Sequence, residues 1–251
     1  MNAIAKFARF HLIFFCDSPK SSQLNKQHHL AGFLIAIEGI DGSGKSSQAR
    51  FVQECLEARK LRVIRTKEPT TGKWGQMLRA SAATGRLSLQ EEVEAFIKDR
   101  KEHVETVIKP ALRAGQIVLV DRYYFSTMAY QGARGMDPQK LMRRNELFAP
   151  EPDLLVIIDI DPELGLKRIK ARGDKANLFE KIASLKRARA IFNAIKKPYS
   201  FRLDGTQEAE KVTDLIVRQF SAMYAERIAK SDCARNEKLK MMLKLFGGDK
   251  V

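Results

Sequence analysis

The chain has 251 residues, enough for one large α/β domain or two small ones and for a core that buries most of its apolar surface. Its three cysteines, Cys16, Cys55 and Cys233, are too few and too scattered for a disulfide scaffold or a zinc site, and no apolar run approaches the roughly 20 residues that span a bilayer. The formal net charge of +15 invites polyanion binding, yet the lysines and arginines are spread over helices and both ends without a nucleic-acid motif, which favours small anionic ligands over nucleic acid.

Residues 1–32 read as a basic extension, with Lys6, Arg9, Lys20 and Lys26 against Asp17. The short apolar run Phe10 to Phe15 raises a signal or transit peptide, but His11 interrupts it and no A-x-A site follows, so a disordered leader or a start codon placed too early is expected. Phe33 to Ile37 then reads as a buried strand. It runs into Gly39-Ile40-Asp41-Gly42-Ser43-Gly44-Lys45-Ser46-Ser47, which fits G-x-x-x-x-G-K-[ST] and opens into a segment of helical spacing. Glycines in such a loop let backbone N–H groups curl around a phosphate, and the helix N-terminus adds its dipole. Lys45 would reach the β/γ-phosphates and the Ser46 hydroxyl would hold Mg²⁺.

Leu61 to Arg65 reads as a second strand that ends in the turn Thr66 to Gly72. Trp74 to Ala83 and Gln90 to Ile108 show helical spacing, the second broken by Pro110. Ile117 to Val120, Leu154 to Asp159 and Tyr199 to Leu203 supply three more strands. Strands alternating with helices predict an α/β fold, a five-stranded, mainly parallel sheet with helices on both faces and its ligands beyond the carboxyl ends of the strands. That edge would gather the glycine loop, Glu68-Pro69, Asp121-Arg122 and Asp159 to Asp161. One domain is expected over 33–225, followed by a basic amphipathic tail over 226–251. Lys238 to Phe246 reads as a helix packed on the domain or a frayed tail, or else as a face for a membrane or partner.

Phosphoryl transfer needs positive charge on the migrating group, a metal, and accurate positioning. Arg122 suits a second phosphate site, because a guanidinium grips two oxygens at once, and Asp121 suits a Mg²⁺ anchor; a strand-capping ion pair is the plainer reading of both. Phe96, Asp99 and Arg100 share a helix face, where Phe96 could stack on a base and Arg100 donate to its carbonyl, or the two could be ordinary core and solvated charge. Lys167, Arg168, Lys170, Arg172 and Lys175 form a basic cluster that also fits a solvated helix end.

Gly39 to Ser46, Glu68-Pro69, Gly75 to Arg79, Phe96 to Arg100, His103 to Ala111, Asp121 to Tyr123, Ser126 to Gly132, and Pro152-Asp153 with Asp161 to Leu166 follow one another in the order and spacing of thymidylate kinases. From about Phe33 to Ala222 the chain resembles that family. The resemblance implies a three-layer P-loop nucleoside-monophosphate kinase fold. It also implies Mg²⁺ as cofactor, ATP and dTMP as substrates with dTDP as product, and a homodimer; composition and cysteine usage add the expectation of a cytoplasmic protein with no nucleic-acid or membrane partner. A kinase of the same fold with another deoxynucleotide or a nucleoside as acceptor is the alternative. Retained Lys45, Ser46, Asp121 and Arg122 speak against a switch protein that has lost catalysis.

Carried over position by position, the family's catalytic groups fall on Lys45, Asp121 and Arg122, with Arg172 or Lys175 supplied by a mobile lid. ATP contacts fall on Gly39, Ile40, Asp41, Gly42, Ser43, Gly44, Lys45, Ser46 and Ser47. Arg168 would lie over the adenine, and Asp204 to Thr206 would border it. For dTMP the resemblance points to Asp41, Glu68, Arg79, Phe96, Arg100, Arg122, Thr127, Tyr130 and Gln131. Phe96 would stack on thymine, Arg100, Thr127 and Gln131 would meet its edge, and Tyr130 would crowd the sugar 2′ position. The metal positions are Ser46 and Asp121. The chain departs from the pattern at Thr70-Thr71, where a glycine pair is familiar, and at Asn177-Leu178, where an Asp-Arg pair is often seen. Gly42 stands where some members carry an arginine, so the lid is expected to supply the transition-state charge.

Overall fold

A computed structural model describes residues 32–85, 87–171 and 178–246. The expected leader, the lid segment 172–177 with Arg172 and Lys175, and the last residues of the tail lie outside the described residues. The elements run β1 (Phe33–Glu38), α1 (Lys45–Ala58), β2 (Val63–Lys67), α2 (Lys73–Thr84), α3 (Leu89–His103), a π-helical turn (Val104–Ile108), α4 (Lys109–Arg113), β3 (Ile117–Asp121), α5 (Tyr124–Gly132), α6 (Pro138–Glu146), β4 (Leu154–Asp159), α7 (Pro162–Lys170), α8 (Leu178–Asn193), β5 (Ser200–Asp204), α9 (Ala209–Lys230) and α10 (Arg235–Phe246).

The strands form one sheet in the order β2-β3-β1-β4-β5, and every pairing is parallel. β1, β3 and β4 are apolar almost throughout because both of their faces are covered. Successive residues still part to opposite layers. Leu34, Ala36, Val118, Val120, Leu155 and Ile157 pack against α5 and α8 through Tyr124, Phe125, Met128 and Phe192. Phe33, Ile35, Ile37, Leu119, Val156 and Ile158 pack against α1 and α9 through Val52, Leu56, Ile216 and Phe220. α9 runs unbroken through residue 225, and α10 lies against it with Leu245 buried and its carbonyl accepting from Arg59 at 2.9 Å. At the amino ends of the strands Arg227 pairs with Asp153, donates to the Gly32 carbonyl at 2.7 Å, and lies over the Phe33 ring.

Two elements differ from the sequence reading. β2 is displaced two residues toward the carboxyl end, because its extent follows its register with β3, Val63 opposite Ile117 through Lys67 opposite Asp121, and not the apolar run. As an edge strand it accommodates Arg65 and Lys67 pointing to solvent. Pro110 does not break the helix either. The turn Val104–Ile108 widens to π geometry, with Lys109 N–H bonded to the Val104 carbonyl, and the helical path continues through the proline. Proline brings no N–H and a ring that crowds the carbonyl four residues back, and a wider turn relieves both.

Candidate active site

The glycine loop leaves β1 in a path that needs its glycines. Gly39 and Gly42 have φ of 144° and 84°, and a Cβ at Gly42 would stand 2.3 Å from the Gly165 carbonyl oxygen of α7. Gly44, at φ 94°, is the N-cap of α1 and offers no side-chain cap, so the first-turn N–H groups face the loop. Lys45 folds back inside the loop, its Nζ donating to the Ile40 carbonyl at 2.8 Å. Burial, with the nearby Arg122 guanidinium, lowers its pKa to about 7; an arriving polyphosphate would restore its full charge.

Facing Lys45 across the sheet edge is the turn after β3. Arg122, at φ 70°, pairs with Asp41 of the glycine loop, and its own N–H donates to the Ile37 carbonyl at 3.1 Å. Burial favours protonation of Asp41, but Arg122 and then Lys45 outweigh it and hold the carboxyl at about 2. Ser46 Oγ donates to Asp121 Oδ2 at 2.5 Å, and Lys67 Nζ stands 3.7 Å from the same oxygen. Asp121 Oδ1 is buried with no hydrogen-bond partner in the protein. An oriented hydroxyl beside a carboxylate with a spare buried oxygen is a donor pair suited to a hard cation. No group of three or more His, Cys, Asp or Glu able to cage a metal occurs among the described residues.

Two cavities border the glycine loop. One, of about 360 Å³, is lined by Gly42, Ser43, Gly44, Ser47, Arg168 and the 205–209 loop. Arg168 spans it, donating to the Gly205 carbonyl from both Nη1 and Nη2 at 3.1 Å and to the Gly42 carbonyl at 3.3 Å. The other, of about 410 Å³, brings together Asp41, Glu68, Phe96, Arg100, Arg122, Thr127, Tyr130 and Gln131, every expected acceptor residue except Arg79. Arg79 is exposed and donates to the Pro69 and Thr70 carbonyls; it lines a neighbouring cavity of about 780 Å³ that shares Pro69 and Arg122.

The floor of the acceptor cavity is an ion-pair network that the sequence did not announce. Arg100, 1% exposed, donates to Glu68 at 2.7 Å, Asn145 at 2.5 Å and Thr127 at 3.1 Å, so three of its five N–H groups are committed within the protein. His103 bonds the other Glu68 oxygen at 2.9 Å. Beside it Asp99 accepts from both the N–H and the hydroxyl of Thr70, which orders the loop where the threonine pair stands. Gln131 Oε1 is buried without a partner in the protein, and Glu92, Ser126, Arg134 and Ser184 also line the wall.

Glu38 was missed altogether. It is fully buried at the end of β1 and accepts from Tyr123 N, Ser126 N and Ser126 Oγ; burial raises its pKa from 4.5 to about 7 against those bonds and the charges of Arg122 and Lys45. A folded-state value above the unfolded one means a contribution to stability that is full below about pH 4.5 and lost as pH rises through about 7. Glu38→Gln should therefore flatten the pH dependence of the thermal midpoint between pH 5 and 8, as scanning calorimetry would show.

A glycine loop on a parallel sheet edge, a lysine inside it, an Arg–Asp pair opposite and a cavity on each side define a P-loop kinase. The thymidylate kinase family model matches residues 37–216. Thymidylate kinase of Xanthomonas campestris pv. campestris (strain B100) is 50% identical over 198 residues, 79% of this chain and 85% of the relative. That of Xanthomonas euvesicatoria pv. vesicatoria is 48% identical over 217 residues, 86% and 95%, and that of Akkermansia muciniphila 46% over 197 residues, 78% and 95%. The chain belongs to the thymidylate kinase family.

Proposed function

We propose that this enzyme transfers the γ-phosphate of ATP to dTMP, giving dTDP and ADP. The observation that carries the reading is that the glycine loop borders both cavities, the donor cavity through Gly42, Ser43 and Gly44 and the acceptor cavity through Asp41, which is paired with Arg122. The acceptor is itself a phosphate, largely ionised at neutral pH, so no side chain has to remove a proton from it. What the protein supplies is convergence of charge. Lys45 and the N–H groups of the glycine loop hold the donor phosphates, Arg122 and Arg79 hold the acceptor phosphate, and Arg168 borders the adenine. Phe96 stacks on the thymine, Arg100, Thr127 and Gln131 address its polar edge, and Tyr130 meets the sugar. Arg172 or Lys175 adds charge from the lid.

Ser46 and Asp121 are the residues that would hold the Mg²⁺ accompanying ATP, which when bound neutralises charge on the migrating group. The reading extends to a cytoplasmic homodimer, on family resemblance; among the described residues no helix is long and apolar enough to cross a membrane. A coupled assay across monophosphates tests the acceptor. dTMP should exceed dUMP by about 10- to 100-fold in kcat/KM, the worth of one methyl in an apolar contact. Equal turnover of dTMP, dCMP, dGMP and UMP would overturn the assignment and favour another acceptor.

A further inference from the structure

Apart from its last residue, Glu38, β1 is wholly apolar, and that acid is turned inward. Its carboxylate takes the Tyr123 N–H at 2.7 Å, the Ser126 N–H at 3.0 Å and the Ser126 hydroxyl at 2.6 Å. Tyr123 is the N-cap of α5 and provides no side-chain cap of its own, so an acid from a different strand, 85 residues earlier, closes the start of that helix. The preceding residue of β1, Ile37, accepts the N–H of Arg122. Two consecutive residues of one strand thus grip the whole turn after β3, and the next residue, Gly39, begins the glycine loop. Burying a carboxylate is expensive, and a neutral acceptor would cap a helix at less cost. What the acid adds is a pair of oxygens that take both backbone N–H groups and the Ser126 hydroxyl at once, with charge gained beside Arg122 as pH rises through about 7; Arg122 itself sits in the left-handed region.

We propose that Glu38 is a positioning residue for phosphoryl transfer: from beneath the sheet edge it fixes the Arg122 turn and the first turn of α5 relative to the glycine loop. The acceptor phosphate clamp and the base-contacting residues Thr127, Tyr130 and Gln131 are then held by one buried group. This rests on the acceptor reading given above. Misplacement by about 1 Å in such a site costs on the order of 100-fold, so small losses of grip are measurable.

The test is steady-state kinetics with dTMP and ATP on the full chain and on Glu38→Gln, Glu38→Ala, Ser126→Ala and the double variant Glu38→Ala/Ser126→Ala. Glu38→Gln keeps an acceptor for both backbone N–H groups without the charge. It should lower kcat/KM for dTMP about tenfold, and Glu38→Ala about 100-fold, with the KM for ATP within about twofold. Ser126→Ala should lose about threefold alone and almost nothing further in the Glu38→Ala background, because the two act through one contact. Wild-type values for dTMP in every variant would overturn the inference, as would losses shared equally by ATP and dTMP parameters in step with the folded fraction. Should Glu38→Ala not fold, Glu38→Gln and Ser126→Ala decide. Wild-type protein unable to turn over dTMP would sink the acceptor reading instead.

Discussion

Arg122→Ala is expected to lower kcat/KM for dTMP about 1,000-fold while leaving the KM for ATP within about threefold. The guanidinium is partly buried, paired with Asp41, and borders the acceptor cavity but not the donor cavity, so its removal takes charge from one substrate only. The damage exceeds the loss of one contact. Arg122 is the largest influence holding the Asp41 carboxyl low, and without it burial pushes that carboxyl up, leaving a poorly compensated acid beside two phosphates. Arg122→Lys should fall between, since an ammonium keeps the charge and loses the fork that spans two oxygens. Initial rates over a matrix of both substrates measure this. A loss smaller than about tenfold for Arg122→Ala would remove the residue from the chemistry.

Arg100→Met is expected to destabilise the fold by about 3–5 kcal/mol, because it strands Glu68 as a buried carboxylate. Glu68 is 2% exposed and would keep only His103, whose other nitrogen already meets Thr66 at 2.7 Å. Asn145 Oδ1 would lose its donor as well, leaving only the bond from its Nδ2 to the Leu141 carbonyl. For a domain of this size the thermal midpoint should fall by on the order of 10 °C. Adding Glu68→Gln should recover part of that fall, since the cost lies in the abandoned charge and not in the missing attraction. A midpoint within about 2 °C of wild type for Arg100→Met would show that the network carries no such weight. Acceptor turnover should suffer in both variants, as Thr127 loses its neighbour on the cavity floor.

The parts of this molecule legible in its sequence are those whose chemistry is contiguous. The glycine loop, Asp121-Arg122 and the face shared by Phe96 and Arg100 are short strings, and a parallel sheet delivers strand ends to one edge whatever the helices between them do. The placing of the cavities beside the loop follows from the same rule, whereas the order of the strands does not. What stayed hidden is set by partners far apart in the chain. Arg100 reads as a solvent-facing or base-facing charge until Glu68 and Asn145, 32 and 45 residues away, close around it. Glu38 has no role in the sequence reading; only the approach of Tyr123 and Ser126 reveals an acid inside the sheet. The one available signal was a carboxylate at an inward position of an otherwise apolar strand. Pro110 reads as a stop because the rule assumes a regular helix, and the widened turn before it removes that assumption.

The parallel sheet also gives the molecule a blank end. All of the chemistry described lies where the strands finish, whereas where they start Arg227 and Asp153 merely lash α9 to the first strand. Cys55 sits near that quiet end, ten residues along α1 from Lys45, or about 15 Å by the rise of a helix, with its thiol exposed while Cys233 is buried. Once Cys16 is replaced, a dye or a surface tether could be attached there and turnover watched on single molecules without a graft near the nucleotides.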